Sequence, residues 1–349
     1  MAESVKPLLE VQGLKKYFPI HQGFLRKLVG HVKAVDNVNF TVAAGETLGV
    51  VGESGCGKTT LGRCILLLYT PTAGKVLLNL DERTIDVTEM EGEDQRLFRR
   101  RAQIIFQDPF ASLNPRMNIL ETVGEPLLVN KVAQGRELEE RVKDVIVQVG
   151  LRVEHLRRFP HSFSGGQRQR VGIARALVVN PKLVVADEPV SALDVSIQAQ
   201  ILNLLQRLQE EFQLTYIFVS HDMSVIRYIS DRIAVMYAGK LVELGAKDAL
   251  LNQPRHPYTE LLLAAVPRTS KESRGQRVVV AGEPPDVSNL PSGCVFRERC
   301  KYAKEICSQE EPQLVALAPG YFASCHFAQE LELAGINQPI KYASYPQVD

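Results

Sequence analysis

An α/β fold with a parallel sheet covered by helices is what the sequence predicts, and three observations carry it. Short, largely apolar runs recur at 48–51, 183–186 and 216–220, as buried parallel strands read. Helical patterns follow the first run (60–68) and separate the other two (197–212), so strand and helix alternate. The chain has 349 residues, 45% of them hydrophobic, which fits one large domain with an appendage.

The remaining elements fall around that frame. Residues 8–12 alternate and predict a first strand; 19–31 look like a loop, with basic Arg26, Lys27 and nearby Lys33; 32–42 predict a strand pair. Residues 88–162 are rich in Arg, Glu and Leu at helical spacing, notably 137–149, and predict a mainly helical insertion at about 108–163. Prolines 254, 257, 267, 284, 285 and 291 punctuate the chain and mark a boundary. The expected organisation is a main domain at 7–255, an extension at 256–330 and a tail at 331–349, without internal repeat.

A net charge of +1, from 41 basic and 40 acidic side chains, argues against a general nucleic-acid binder. No run approaches the roughly 20 apolar residues of a spanning helix; 261–266 falls far short. The first ten residues carry Glu3 and Glu10 and lack the apolar core of a signal peptide. The expectation is a chain in the cytoplasm whose membrane role, if any, comes through partners.

Gly52-Glu53-Ser54-Gly55-Cys56-Gly57-Lys58-Thr59 satisfies G-x-x-x-x-G-K-[ST] between a predicted strand and the helix that Thr60 opens. Backbone N–H groups must turn inward onto phosphate oxygens, and side chains would obstruct them, so glycine recurs. The helix N-terminus adds partial positive charge. Lys58 supplies a point charge for the β- and γ-phosphates and Thr59 a hydroxyl for Mg²⁺. Cys56 reads as a small filler whose amide does the work. The strand at 183–186 ends in Asp187 and Glu188, placed to hold Mg²⁺ and to orient and deprotonate an attacking water, respectively.

Many nucleotide hydrolases share those two features. Ser164-Gly165-Gly166-Gln167-Arg168-Gln169-Arg170, at the start of a predicted helix, resembles the signature motif of ABC ATPases, with Phe163 where Leu is commonest. Gln107 resembles that family's Q-loop glutamine, which touches Mg²⁺. Ser191-Ala192-Leu193-Asp194 resembles the D-loop, and His221, after the strand at 216–220, resembles the switch histidine on the γ-phosphate. Phe18, favoured over its neighbour Tyr17 by its spacing to Lys16, resembles the aromatic that stacks on adenine.

The resemblance covers about 8–257. It implies a P-loop NTPase with a RecA-like parallel-sheet core, an antiparallel β subdomain and a helical subdomain. It further implies ATP hydrolysis, with two cassettes trapping ATP between the phosphate loop of one and Ser164–Gln167 of the other.

Three segments narrow the family. Residues 187–196, 108–116 and 254–259 resemble the ATP-binding subunits of dipeptide/oligopeptide importers, the last opening the C-terminal extension of that group. The implied partners are two transmembrane permease subunits, a second ATPase, identical or homologous, and indirectly an extracytoplasmic peptide-binding protein. The implied place is the cytoplasmic face of the membrane. Nickel importers share these segments.

Cys294, Cys300, Cys307 and Cys325 form C-x5-C-x6-C-x17-C, neither a zinc-ribbon nor a ferredoxin spacing. In this family such a cluster resembles one that holds [4Fe–4S]; zinc and free thiols stay open. The alternative class, a soluble ABC ATPase of DNA repair or translation, calls for a long coiled coil between Lys58 and Ser164 or for two cassettes, and the sequence has neither.

Overall fold

The structure is a computed structural model, and it describes residues 6–23, 27–80, 83–266 and 285–336. Arg26, Pro267, Pro284 and the tail residues 337–349 lie outside them.

The chain opens with β1 (Leu9–Gln22) and β2 (Lys27–Val42), then β3 (Thr47–Val51) and α1 (Lys58–Ile65). Next come β4 (Ala73–Asn79), β5 (Thr84–Asp86), α2 (Gly92–Arg101) and β6 (Ala102–Ile105). The helical part holds α3 (Ile119–Val129), α4 (Gly135–Gln148) and α5 (Gly165–Leu177). β7 (Leu183–Asp187), α6 (Val195–Phe212), β8 (Thr215–Ser220), α7 (Met223–Ile229), β9 (Arg232–Tyr237) and β10 (Lys240–Ala246) complete the core. α8 (Lys247–Asn252) follows, and the extension adds α9 (Pro257–Ala264), α10 (Ile306–Gln309), β11 (Val315–Ala318) and β12 (Tyr321–Ala323).

The main sheet runs β11-β12-β10-β9-β3-β8-β7-β6, parallel from β9 to β6 and antiparallel at the other edge. Its central strands are buried on both faces, which is why they read as unbroken apolar runs. Alternate residues feed two separate cores. Tyr216 and Phe218 of β8 and Val184 and Ala186 of β7 face the helices α4, α5 and α6. Ile217, Val219, Leu183 and Val185 face α1 and the small antiparallel sheet β2-β1-β4-β5. On α6, Ile201, Leu204, Leu205 and Leu208 are buried at the i, i+3, i+4, i+7 spacing of an amphipathic helix.

Four expectations change. Residues 32–42 are not a strand pair but part of one long strand, β2. Within the basic segment at 19–31, residues 19–22 and 27–31 are strand, not loop. β1 and β2 continue as a hairpin, with Pro19 opposite His31 and Ile20 opposite Gly30. Beyond Lys15, β1 pairs with β2 alone, so both faces of the ribbon meet solvent and no apolar alternation marks it, and Pro19 costs no second ladder. Residues 88–162 are not helical throughout, because β6 within them pairs with β7 in the main sheet. The helix predicted to Leu68 stops at Ile65, where Leu67 takes φ +53° and its N–H turns back to the Cys64 carbonyl.

β12 pairs with β10, and β11 with β12, so the extension is hydrogen-bonded into the main sheet. Behind that edge, Glu243 is fully buried and accepts hydrogen bonds from the backbone N–H of Arg255 (2.6 Å) and His256 (3.1 Å) and from the hydroxyls of Tyr321 (2.5 Å) and Thr259.

Candidate nucleotide site

The phosphate loop joins β3 to α1, and close backbone approaches set its shape. A Cβ on Gly52 would lie 2.2 Å from the Met236 carbonyl, and one on Gly57 would lie 2.0 Å from the Ala34 carbonyl. Gly57 also takes φ 105° as it caps α1, a conformation that side chains resist. Lys58, 4% exposed, folds back into the loop, donating to the carbonyls of Gly52 (2.7 Å) and Glu53 (2.9 Å). Its amine also lies 3.8 Å from the Cys56 sulfur. Burial raises the Cys56 thiol pKa, with Lys58 pulling the other way, so the thiol stays protonated.

At the ends of the neighbouring strands the acids gather. Thr59 donates to Asp187 at 2.8 Å. Burial raises the Asp187 carboxyl above its usual range, against the pull of Thr59, Arg63 and Lys58. Glu188 takes φ +46°, a conformation that costs a non-glycine residue of order 1–3 kcal/mol and recurs where structure holds a functional group in place. Its amide is held by the Val219 carbonyl of β8 at 3.0 Å. One carboxylate oxygen of Glu188 meets two groups at once, the Gln107 amide at 3.0 Å and His221 Nδ1 at 3.1 Å. Lys58, Thr59, Gln107, Asp187, Glu188 and His221 thus converge from β3–α1, the end of β6, β7 and β8.

The signature residues stand apart from that cluster. Ser164 caps α5 in a reciprocal box with Gln167, its hydroxyl accepting from Gln167 N–H at 3.4 Å and its own N–H donating to the Gln167 side chain at 3.1 Å. A Cβ on Gly166 would lie 2.5 Å from Ile197 of α6. Ser164 is exposed, and so is Asp194, which precedes α6. Among the described residues, neither hydrogen-bonds to the Glu188 cluster. Phe18 packs edge-on against Tyr69 at 5.6 Å with the Lys16 amine 4.9 Å from its ring centre. Tyr17 is committed elsewhere, its hydroxyl donating to Asp36 at 2.5 Å.

Cys294, Cys300, Cys307 and Cys325 line one small pocket beside His256 and Phe296. Burial pushes the Cys300 thiol up to about 12 and the Cys325 thiol up to about 11, so both hold their protons. Among the described residues, no group of three His, Cys, Asp or Glu side chains is disposed to hold a metal ion.

With this geometry in place, comparison with known proteins is decisive. The ABC transporter family profile matches residues 35–191, and that of the oligopeptide/dipeptide transporter C-terminal region matches 242–307. The oligopeptide transport ATP-binding protein AppF of Bacillus subtilis is 50% identical over 328 residues, 93% of this chain and 98% of that one. The chain belongs to the ABC transporter ATP-binding proteins. It is an ATPase of that family. The dipeptide transport ATP-binding protein DppF of Haemophilus influenzae is 46% identical over 319 residues, 91% of this chain and 96% of that one. Among solved structures, the post-hydrolysis dimer of the ATP-binding cassette MJ0796 with ADP and Pi aligns with a TM-score of 0.58 at 30% identity, covering 68% of this chain and 98% of that one.

Sequence reasoning on the cassette missed one neighbour of the phosphate loop. Arg299 of the extension donates two hydrogen bonds to the Glu53 carboxylate, at 2.7 and 2.8 Å. Tyr258 of α9 accepts a third from the Glu53 N–H at 2.8 Å. A pairing across 246 residues leaves no local pattern to read. The matched C-terminal region could have signalled only that the extension exists.

Proposed function

We propose that this ATPase powers import of dipeptides or oligopeptides through two permease subunits at the cytoplasmic face of the membrane, with a second ATPase of its own kind. Support for the substrate class comes from the C-terminal region and from relatives named for oligopeptide and dipeptide transport. An extracytoplasmic peptide-binding protein would act on the permeases, not on this chain. No membrane-spanning helix occurs among the described residues, so the translocation path would belong to partners.

The observation that carries the catalytic reading is the meeting of Gln107 and His221 on one oxygen of Glu188, beside the Thr59–Asp187 pair. ATP would lie with its phosphates in the cradle of 52–60 and its adenine against Phe18. Lys58 gives up its loop carbonyls to meet the β- and γ-phosphates. Thr59, Asp187 and Gln107 are oxygen donors of the kind Mg²⁺ takes, and the ion would screen the charge growing on the leaving phosphate. Glu188 accepts the proton of the attacking water, and His221, in contact with the same carboxylate, would steady the γ-phosphate. Ser164–Gln167, with the free N–H groups of the α5 N-terminus, would face the nucleotide held by the partner ATPase, and Asp194 would lie at that junction.

Replacing Glu188 by Gln keeps the shape and removes the base. The variant should bind ATP and accumulate an ATP-bound dimer with turnover reduced by at least about a hundredfold, as loss of a general base implies. Turnover at the wild-type rate would refute the assignment. Reconstitution with the permeases, scored by which solute stimulates turnover, tests the peptide reading against nickel.

The thiols of Cys294, Cys300, Cys307 and Cys325 share the donor chemistry of a [4Fe–4S] site, but as they stand no three of them are disposed to hold a metal ion, so a cluster there would need them to close up. No catalytic step depends on it. Iron content and visible absorbance after oxygen-free purification test it, and absence of both would dismiss it.

A further inference from the structure

We propose that Arg299 is a positioning residue for the phosphate loop, fixing its outer arm from the Cys-lined extension so that this extension sets ATP affinity. The proposal rests on the reading of 52–59 as the phosphate cradle.

Glu53 follows the first glycine of the loop, and its backbone is held on both sides. Its carbonyl receives Lys58, and its N–H reaches the Tyr258 hydroxyl. Its side chain takes the Arg299 fork bidentately, the geometry in which guanidinium and carboxylate bind most strongly. Arg299 is itself fixed. Its side chain is 4% exposed, a third bond runs to the Tyr237 hydroxyl at 3.3 Å, and its guanidinium lies near the rings of Tyr237 and Phe296. Tyr237, Tyr258 and Phe296 pack on one another, with ring centres 4.6 to 5.4 Å apart. Arg299 also immediately precedes Cys300 on the thiol pocket. An aromatic block built by β9 and the extension together therefore grips the loop at one residue.

The grip has two physical effects. It removes the freedom of a loop whose amides must point at phosphate before the nucleotide arrives. It also neutralises a carboxylate at the mouth of a site built for a highly charged anion, where an unpaired acid would repel it. Catalysis needs neither effect directly, so the penalty of losing Arg299 falls on binding.

The test uses the full-length chain, with ATP binding and steady-state hydrolysis as readouts. Arg299→Met should weaken ATP affinity about tenfold, which corresponds to about 1.4 kcal/mol, and raise KM more than it lowers kcat. Adding Glu53→Gln should recover part of that loss, because the stranded charge disappears. Arg299→Lys, which keeps the charge but not the fork, should fall between wild type and Arg299→Met, and it carries the test if Arg299→Met does not fold. Wild-type affinity in Arg299→Met and Arg299→Lys overturns the proposal, as does an equal or greater loss in the double variant. Lys58→Ala separates the two ideas. If it binds ATP normally, the cradle reading falls and the proposal with it. If it abolishes binding while the Arg299 variants do not weaken it, the proposal fails alone.

Discussion

Replacing Glu243 by Gln probes the joint between cassette and extension. The carboxylate is fully buried and faces four donors, two of them backbone N–H groups that cannot turn away. Tyr321 and Thr259 can rotate their hydroxyls to accept from an amide, but the Arg255 and His256 amides cannot. A glutamine oxygen can serve one of these, and its NH2 then points at the other. One buried donor loses its partner, at about 1–3 kcal/mol. The pH dependence sharpens this. Burial raises the Glu243 carboxyl to about 7, against the pull of its four donors, so its support for folding is complete below its ordinary value of 4.5 and is lost as pH rises through about 7. Burial lowers the adjacent His256 to about 3 from 6.5, so its support is complete above 6.5 and is lost as pH falls toward 3. Between 4.5 and 6.5 the two slopes, each up to about 1.4 kcal/mol per pH unit, oppose one another. Urea unfolding at stepped pH should give a nearly level wild-type profile there. Glu243→Gln should be less stable at pH 4.5, where the wild type still has the support of its neutral carboxyl, and should gain stability steadily from pH 4.5 to 6.5, so that the deficit shrinks. A variant as stable as wild type with the same level profile would refute the account of the joint.

Gly57→Ala should abolish ATP binding while the remainder of the chain stays folded, because the new Cβ would collide with the Ala34 carbonyl; binding within twofold of wild type, measured by titration, would show that the loop can move aside. Ser164→Ala removes the cap of α5 and should lower stability by about 1 kcal/mol. It should also slow ATP-driven dimerisation, scored by size-exclusion in ATP with hydrolysis blocked. Phe218→Ala empties a fully buried site between β8 and the helices and should cost about 3–5 kcal/mol by denaturant unfolding.

The sequence carried the parts of the fold whose reasons are local. Strands buried on both faces announce themselves as apolar runs, and β3, β7 and β8 fall within a residue or two of expectation. The residues proposed to carry the chemistry stand out for the same reason: a glycine loop before a lysine, and two acids closing a buried strand, are short-range patterns. What escaped were features made by pairing at a distance. The solvent-washed end of the β1–β2 ribbon has no apolar period, and β9 and β10 went unread though they are as buried as their neighbours. That Glu188 would gather both Gln107 and His221 on one oxygen, and that Glu53 would find Arg299, depends on where distant strands end in space.

The placement of β12 has a practical meaning for anyone who would trim the chain. In the sequence the extension looks like a detachable module behind a run of prolines. In the fold it seals the open border of the main sheet: β12 occupies the ladder positions of Glu243 and Leu244, and Tyr321 closes over the carboxylate behind them. A chain cut at residue 255 would bare an adhesive strand backbone and leave a stranded acid in contact with water at the same spot. The shortened protein would be prone to stick to copies of itself, so the piece that resembles a bare cassette is the one least suited to stand alone.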